Sequence, residues 1–184
     1  MKEDITIYRR RLPHWRMPGA VYFVTWRLHP AQPDLKPEER ESITAALKHF
    51  DGERFELLAY VVMHNHVHIL INPKDAYRLQ DIVYSWKSYT ANLLQRTYHR
   101  RHRIWQDEYF DRIVRDEEEF WEKAQYILNN PFKTWPDISE YKWVGVKMMA
   151  GTEARPTSTE ARPTSTEARP TGTEARPTES KAQP

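Results

Sequence analysis

Apolar residues along this chain follow two periods, and the changes of period mark its elements. From Ala20 to Leu28 they alternate, with Val21, Phe23 and Thr25 on one side and Tyr22, Val24 and Trp26 on the other. Both sides are apolar enough for a strand at the centre of a sheet. His29-Pro-Ala-Gln-Pro33 reads as a loop, and Lys36-Pro-Glu-Glu-Arg40 opens a helix with proline in its first turn. That helix is predicted to reach about Phe50, with Ile43, Ala46, Leu47 and Phe50 inward, and to end at Asp51-Gly52. Phe55 to Met63 and Val67 to Ile71 then read as two buried strands. The turn His64-Asn65 between them is tight enough to make an antiparallel hairpin, and Asn72-Pro73 closes the second strand.

A helical period returns from Tyr77 to about His99, with the stripe Leu79, Ile82, Val83, Trp86, Thr90, Leu93 and Leu94. Ile104-Trp-Gln106 and Tyr109 to Val114 read as a short fourth strand or extended pair. Asp116-Glu-Glu-Glu119 has the form of a helix start, Asp116 as N-cap and Glu119 as its capping-box partner. The predicted helix runs from Phe120 to about Asn129 and is stopped by Pro131, with Trp121, Ala124, Ile127 and Leu128 inward. The order β-α-β-β-α-β-α implies an α+β fold: an antiparallel sheet with helices mainly on one face.

Composition limits this picture to residues 1–150. Residues 152–179 are four copies of Thr-Glu-Ala-Arg-Pro-Thr followed by Ser, Ser, Gly or Glu. With a proline in every copy and nothing apolar larger than Ala, residues 151–184 are expected to be a disordered low-complexity tail. All seven Trp and all ten Tyr precede it. The chain has no Cys, which excludes disulfides and thiolate metal sites. No apolar run approaches membrane-spanning length and the N-terminus is charged, so a cytoplasmic protein is expected. The net charge of +2 does not announce nucleic acid, but its distribution is suggestive. Arg9, Arg10, Arg11 and Arg16 cluster near the start, and Arg100, Arg101 and Arg103 form a second run near Tyr98 and Trp105. Cations beside aromatic rings suit phosphate contacts with base stacking, and equally suit a solvated surface.

The candidate chemistry lies in Leu58-Ala-Tyr-Val-Val-Met-His-Asn-His-Val-His-Ile-Leu-Ile71. On a strand His66 and His68 project to one face while Val67 turns to the other. Two adjacent imidazoles form half of a metal site, and burying them without partners would cost free energy. Tyr126 and Asn130, four apart on the last helix, share a face. By themselves, a helical Tyr is more often packing and an amide beside proline more often a cap.

In combination these segments change meaning. Tyr60-Val-Val-Met-His-Asn-His-Val-His-Ile-Leu-Ile71, Ser85-Trp-Lys-Ser-Tyr-Thr90, Ile104-Trp-Gln-Asp-Glu-Tyr-Phe-Asp-Arg-Ile-Val-Arg115 and Tyr126-Ile-Leu-Asn-Asn-Pro131 occur in this order. The chain thereby resembles the REP-associated tyrosine transposases, relatives of insertion-sequence transposases within the HUH single-strand endonucleases, over roughly Tyr8 to Val144. The resemblance implies a ferredoxin-like antiparallel sheet. It also implies Tyr126 as nucleophile and His66, His68 and Asn130 as ligands of a divalent metal, Mg²⁺ or Mn²⁺. Tyr109, Tyr89 and Tyr84 compete on spacing, but only Tyr126 shares a helix face with a candidate third ligand. The family usually has proline where this chain has His64, which loosens the entry to the turn and adds an imidazole; His64 is left outside the site.

The function implied is cleavage and rejoining of single-stranded DNA at palindromic hairpins through a 5′-phosphotyrosyl link. A phenol with an ordinary pKa near ~10 is a poor nucleophile at neutral pH, and a metal on the phosphate compensates by stabilising charge on its oxygens. Arg9, Arg10, Arg11, Arg16, Arg100, Arg101 and Arg103, with Lys87, Trp105 and Arg112, are the candidates for holding the strand. The short linker before the last helix favours a monomer. The alternative is a hairpin-DNA binding protein that keeps the fold and does not cut; a zinc hydrolase on the same histidines would need a nearby acid.

Overall fold

The computed structural model of the chain describes residues 6–9, 13–17 and 19–147. The tail expected to be disordered lies outside the described residues, as do Arg10 and Arg11. Near the arginine-rich start, β1 (Thr6–Arg9) and β2 (Pro13–Arg16) pair antiparallel as a small separate sheet. The main sheet has five strands, all antiparallel: β3 (Tyr22–Arg27), β4 (Phe55–Val62), β5 (His66–Pro73), β6 (Phe110–Ile113) and β7 (Val144–Val146). Their order is β6-β3-β5-β4-β7. With helices α1 (Pro37–Lys48) after β3 and α2 (Leu79–Thr97) after β5, the unit from β3 to β6 is the ferredoxin-like β-α-β-β-α-β arrangement.

Strand alternation sorts the side chains into two cores. Tyr22, Val24 and Trp26 of β3 and Val67, Ile69 and Ile71 of β5 meet Ile43 and Leu47 of α1 and Leu79, Val83, Trp86 and Leu94 of α2. On the other face Phe23, Leu58, Val61, Met63 and Leu70 meet Ala124 and Ile127 of α3 (Glu117–Thr134). A bulge in β4 between Leu57 and Ala59 puts Leu58 and Ala59 on this same face. Two of the three helices therefore cover one face, and α3 has the other. β7, unannounced by the hydropathy pattern because three residues show no period, closes the β4 edge. It approaches closely there: a Cβ on Gly145 would lie 2.6 Å from the Tyr60 ring.

Two local expectations are corrected. The last helix does not stop at Pro131 but passes through it to Thr134. Proline removes one N–H only, and beyond it the Trp135 amide bonds to the Pro131 carbonyl at 2.8 Å while the Thr134 hydroxyl donates to the Asn130 carbonyl at 3.1 Å. At the helix start Asp116 accepts from the Glu119 amide at 2.8 Å, as an N-cap does. Glu119, however, turns to the Arg115 amide at 3.1 Å and to the guanidinium of Arg112 at 2.6 Å, tying α3 to β6. Among the described residues no helix is long and apolar enough to cross a membrane.

The loop before α1 is fastened by an interior ion pair. Arg100 donates to Glu39 at 2.6 Å, with the two side chains only 6% and 2% exposed, and also to the carbonyls of Pro33 and Asp34. Burial pushes the Glu39 carboxyl up, but the bonds from Arg100 and from the Lys36 amide outweigh it and hold Glu39 below the usual carboxylate range. Arg100→Gln should cost about 3–5 kcal/mol in urea denaturation, because it strands a buried carboxylate. In the unaltered protein this contribution should be present at neutral pH and lost as pH falls through the depressed Glu39 value. A variant as stable as the parent would show the pair to be dispensable.

Candidate active site

The site is built where β5 pairs with β3 beneath α3. Thr25 lies opposite His68 and Arg27 opposite His66, so four side chains from the ends of two central strands share the α3 face. The Thr25 hydroxyl lies 2.6 Å from His68 Nδ1, and Phe23 stacks on the His68 ring at 5.5 Å. His66 Nδ1 lies 2.6 Å from Asn65 Oδ1, an acceptor, so that nitrogen donates and Nε2 keeps its lone pair. At His68 the Thr25 hydroxyl can donate to or accept from Nδ1, which leaves Nε2 as the ring nitrogen facing away from that bond. This Nε2 is buried and has no hydrogen-bond partner among the described residues. An orphaned, buried ring nitrogen beside a second imidazole, the ring centres 4.6 Å apart, is a donor arrangement that fits a metal ion.

Helix α3 brings the other two residues. Asn130 is buried, within an ordered helix rather than at a frayed end, and its side-chain amide is near enough to His66 to influence that ring's proton affinity. One turn earlier the Tyr126 ring stands edge-on to His68 at 5.2 Å, and the residue remains 38% exposed. Lys133 brings Nζ to 5.3 Å from the centre of that ring. The structure thus brings together His66, His68, Asn130 and Tyr126. The competing tyrosines are elsewhere: Tyr84 and Tyr89 are exposed on α2, and Tyr109 lies beside Lys87. His64 continues the row, 6.3 Å from His66 and edge-on to Trp135 at 5.2 Å. Among the described residues no group of three His, Cys, Asp or Glu could hold a metal ion, so a donor set at this place would consist of two imidazoles and an amide. That set suits an open, weakly held divalent cation.

Both imidazoles are held neutral. Burial in the apolar layer lowers His66 to about 4, aided by the charges of Arg27 and His64 and opposed by the Asn130 side chain. Burial likewise lowers His68 to about 3, with His66 and Arg27 contributing. Neutral rings are the form that ligates metal.

The strand-holding candidates are spread differently. Trp105 is buried and donates its indole N–H to Thr90 at 2.9 Å, and Arg100 is interior, so neither presents a stacking or phosphate-binding surface. Both correct the sequence expectation, for the same reason: an aromatic or arginine in a basic run serves the core when a buried partner awaits it. Lys87 donates to the carbonyls of Gln106 and Asp107, Arg103 pairs with Asp107, and Arg112 pairs with Glu119. Lys87, Arg103 and Trp105 line a cavity of about 620 Å³ between α2 and residues 103–109. Arg101 is exposed; Arg9 and Arg16 lie in β1 and β2. Sequence reasoning missed Thr25, Arg27 and Lys133. A Thr and an Arg in an otherwise apolar strand were the available signal for the first two, but only the β3–β5 register gives it meaning.

Comparison with known proteins agrees with this architecture. A sequence model of the family described as "Transposase IS200 like" matches residues 23–130. Among solved structures, the chain is similar to a REP-associated tyrosine transposase bound to a REP hairpin, with 20% identity and a TM-score of 0.61 over 74% of this chain and 80% of that one. A candidate transposase from Deinococcus radiodurans R1 aligns at 22% identity and a TM-score of 0.46, over 59% and 88% of the two chains. No curated protein matches the sequence.

The depressed imidazole values fix a pH dependence. An unfolded histidine takes its proton near pH ~6.5, and these folded rings do not until about 4 and about 3. The metal-free protein should therefore lose stability as pH falls from 6.5 towards 4, by up to ~1.4 kcal/mol per pH unit for each ring. Urea midpoints across that window should fall less steeply for His68→Gln; parallel curves would show that His68 is not buried neutral.

Proposed function

The chain belongs to the IS200-like transposase family, and from that premise we propose that it cuts and rejoins single-stranded DNA beside a hairpin, using Tyr126 as nucleophile. One observation carries this reading: a partly exposed phenol set edge-on against one of two adjacent neutral imidazoles, the one with a buried nitrogen that has no partner among the described residues. A fold relative was solved bound to a REP hairpin, and a hairpin with single-stranded flanks is the substrate class proposed here. In the same reading His66, His68 and Asn130 hold Mg²⁺ or Mn²⁺, which when bound supplies a Lewis acid at the scissile phosphate.

The residues of the chain do the rest. The Tyr126 oxygen attacks phosphorus and loses its proton to solvent. The bond from phosphorus to the 3′ oxygen breaks, that oxygen leaves as a 3′-OH after taking a proton, and the 5′ phosphate stays on tyrosine. Attack by a 3′-OH reverses these steps, restoring a phosphodiester and the free phenol, so strand joining needs no external energy source. Asn65 keeps His66 in the tautomer with Nε2 available, and Thr25 holds the His68 ring through Nδ1, which fixes the orientation of both rings before substrate arrives. Position on α3 matters as well. Residues 126 and 130 are one turn apart, so the nucleophile and the amide are presented along one line over β5.

Purified protein, Mn²⁺ and a labelled oligonucleotide with a local palindrome and flanks should give a protease-sensitive adduct on a denaturing gel. Tyr126→Phe should bind the oligonucleotide normally and form none. An adduct retained by the variant would move the nucleophile elsewhere. Binding without any adduct across a series of flanks would make the protein a non-cutting hairpin binder.

A further inference from the structure

Arg27 is the last residue of β3, and its surroundings give it a task that neither the motif nor the charge clusters indicate. Tyr22, Val24 and Trp26 face the α1 and α2 core, so Phe23, Thr25 and Arg27 face the other way. Phe23 stacks on His68, Thr25 bonds it, and Arg27 lies directly opposite His66. Its side chain is exposed. The other arginines described near the core are matched: Arg100 by Glu39, Arg112 and Arg115 by Glu119, and Arg40 by the rings of Trp135, Tyr141 and Trp143. Among the described residues no carboxylate pairs with Arg27 within ion-pair distance, and its charge reaches both imidazoles.

A guanidinium beside two neutral metal-type ligands opposes any cation placed between them. The arrangement becomes favourable once an anion bridges the cation and the arginine. A phosphodiester suits that position, because its two non-bridging oxygens match the guanidinium fork while one of them can face the imidazoles. We propose that Arg27 binds the scissile phosphodiester, holding a non-bridging oxygen so that phosphorus faces Tyr126. This rests on the reading of the site given above. It makes Arg27 the residue that couples metal and strand: unfavourable to the metal in the empty site, favourable to both once DNA is bound. Lys133, against the Tyr126 ring, adds positive charge from α3 but lacks the fork.

The coupling gives a test with two opposite signs. Mn²⁺ binding measured by electron paramagnetic resonance without DNA should be about fivefold tighter in Arg27→Gln, since a repelling charge has gone. Adduct formation on the palindromic oligonucleotide should fall on the order of 100-fold in the same protein. Arg27→Lys should retain the weaker Mn²⁺ binding and recover only part of the adduct rate. Thermal unfolding of both variants should match the parent, because the side chain is solvent-exposed. Adduct formation within twofold of the parent, or unchanged Mn²⁺ affinity without DNA, would overturn the assignment. If the parent itself forms no adduct, the cutting mechanism fails separately. Arg27 is then decided by whether Arg27→Gln abolishes the tightening of Mn²⁺ binding that the oligonucleotide produces; retained tightening overturns it.

Discussion

The constraint on which the rest depends is the burial of two uncharged imidazoles in an apolar layer between β5 and α3. Polar rings in such a place destabilise the fold unless each nitrogen is accounted for. Each ring has a partner at Nδ1, Thr25 for His68 and Asn65 for His66. Nε2 of His68 is buried with none among the described residues. A buried polar group left unsatisfied beside a tyrosine costs stability, which is the pattern the proposed function would require.

The two faces of the sheet divide the labour. The α1 and α2 face holds the larger core, including the stacked pair Trp26 and Trp86 and the buried Trp105, and beyond it the Arg100–Glu39 pair fastens the loops. The α3 face carries a smaller core of Phe23, Leu58, Val61, Met63 and Leu70, just enough to seat one helix in register with one strand. Along that contact Tyr126 meets His68, Asn130 meets His66, and Trp135, just past the helix, meets His64. A step of two residues on a strand and four on a helix cover similar lengths, about 6–7 Å, which is why the pairs stay matched. The proline inside α3 does not break this line: it removes only its own N–H, and the helix continues through it to Thr134.

His64 shows how a family departure is absorbed. Proline would have fixed the backbone entering the turn. Here the turn is held instead by backbone bonds from Leu35 to the His64 carbonyl at 2.6 Å and from Leu28 to the Asn65 carbonyl at 2.9 Å. The imidazole packs on Trp135 at the far end of the row, beyond His66 from His68.

Much of this was legible in the chain by itself. Period-two and period-3.6 patterns located β3, β4, β5, α1 and α2, because burial of one face forces those repeats. The same rule put His66 and His68 on one side of β5. Spacing put Tyr126 and Asn130 on one side of α3, and the order of motifs gave the family. What the pattern did not contain was any relation between elements. Which sheet face α3 would cover, and that β7 would close an edge, depended on strand order. So did the pairing of Thr25 with His68 and Arg27 with His66. Residues 43 and 39 positions apart in sequence become neighbours only when β3 and β5 pair. The fate of the cations was also a tertiary matter. Arg100 and Arg27 look alike in sequence, yet Glu39 lies within reach of the first in the interior, and at the second two uncharged imidazoles wait instead. Local repeats follow from what each residue must do with water; the site follows from which residues the sheet then makes adjacent.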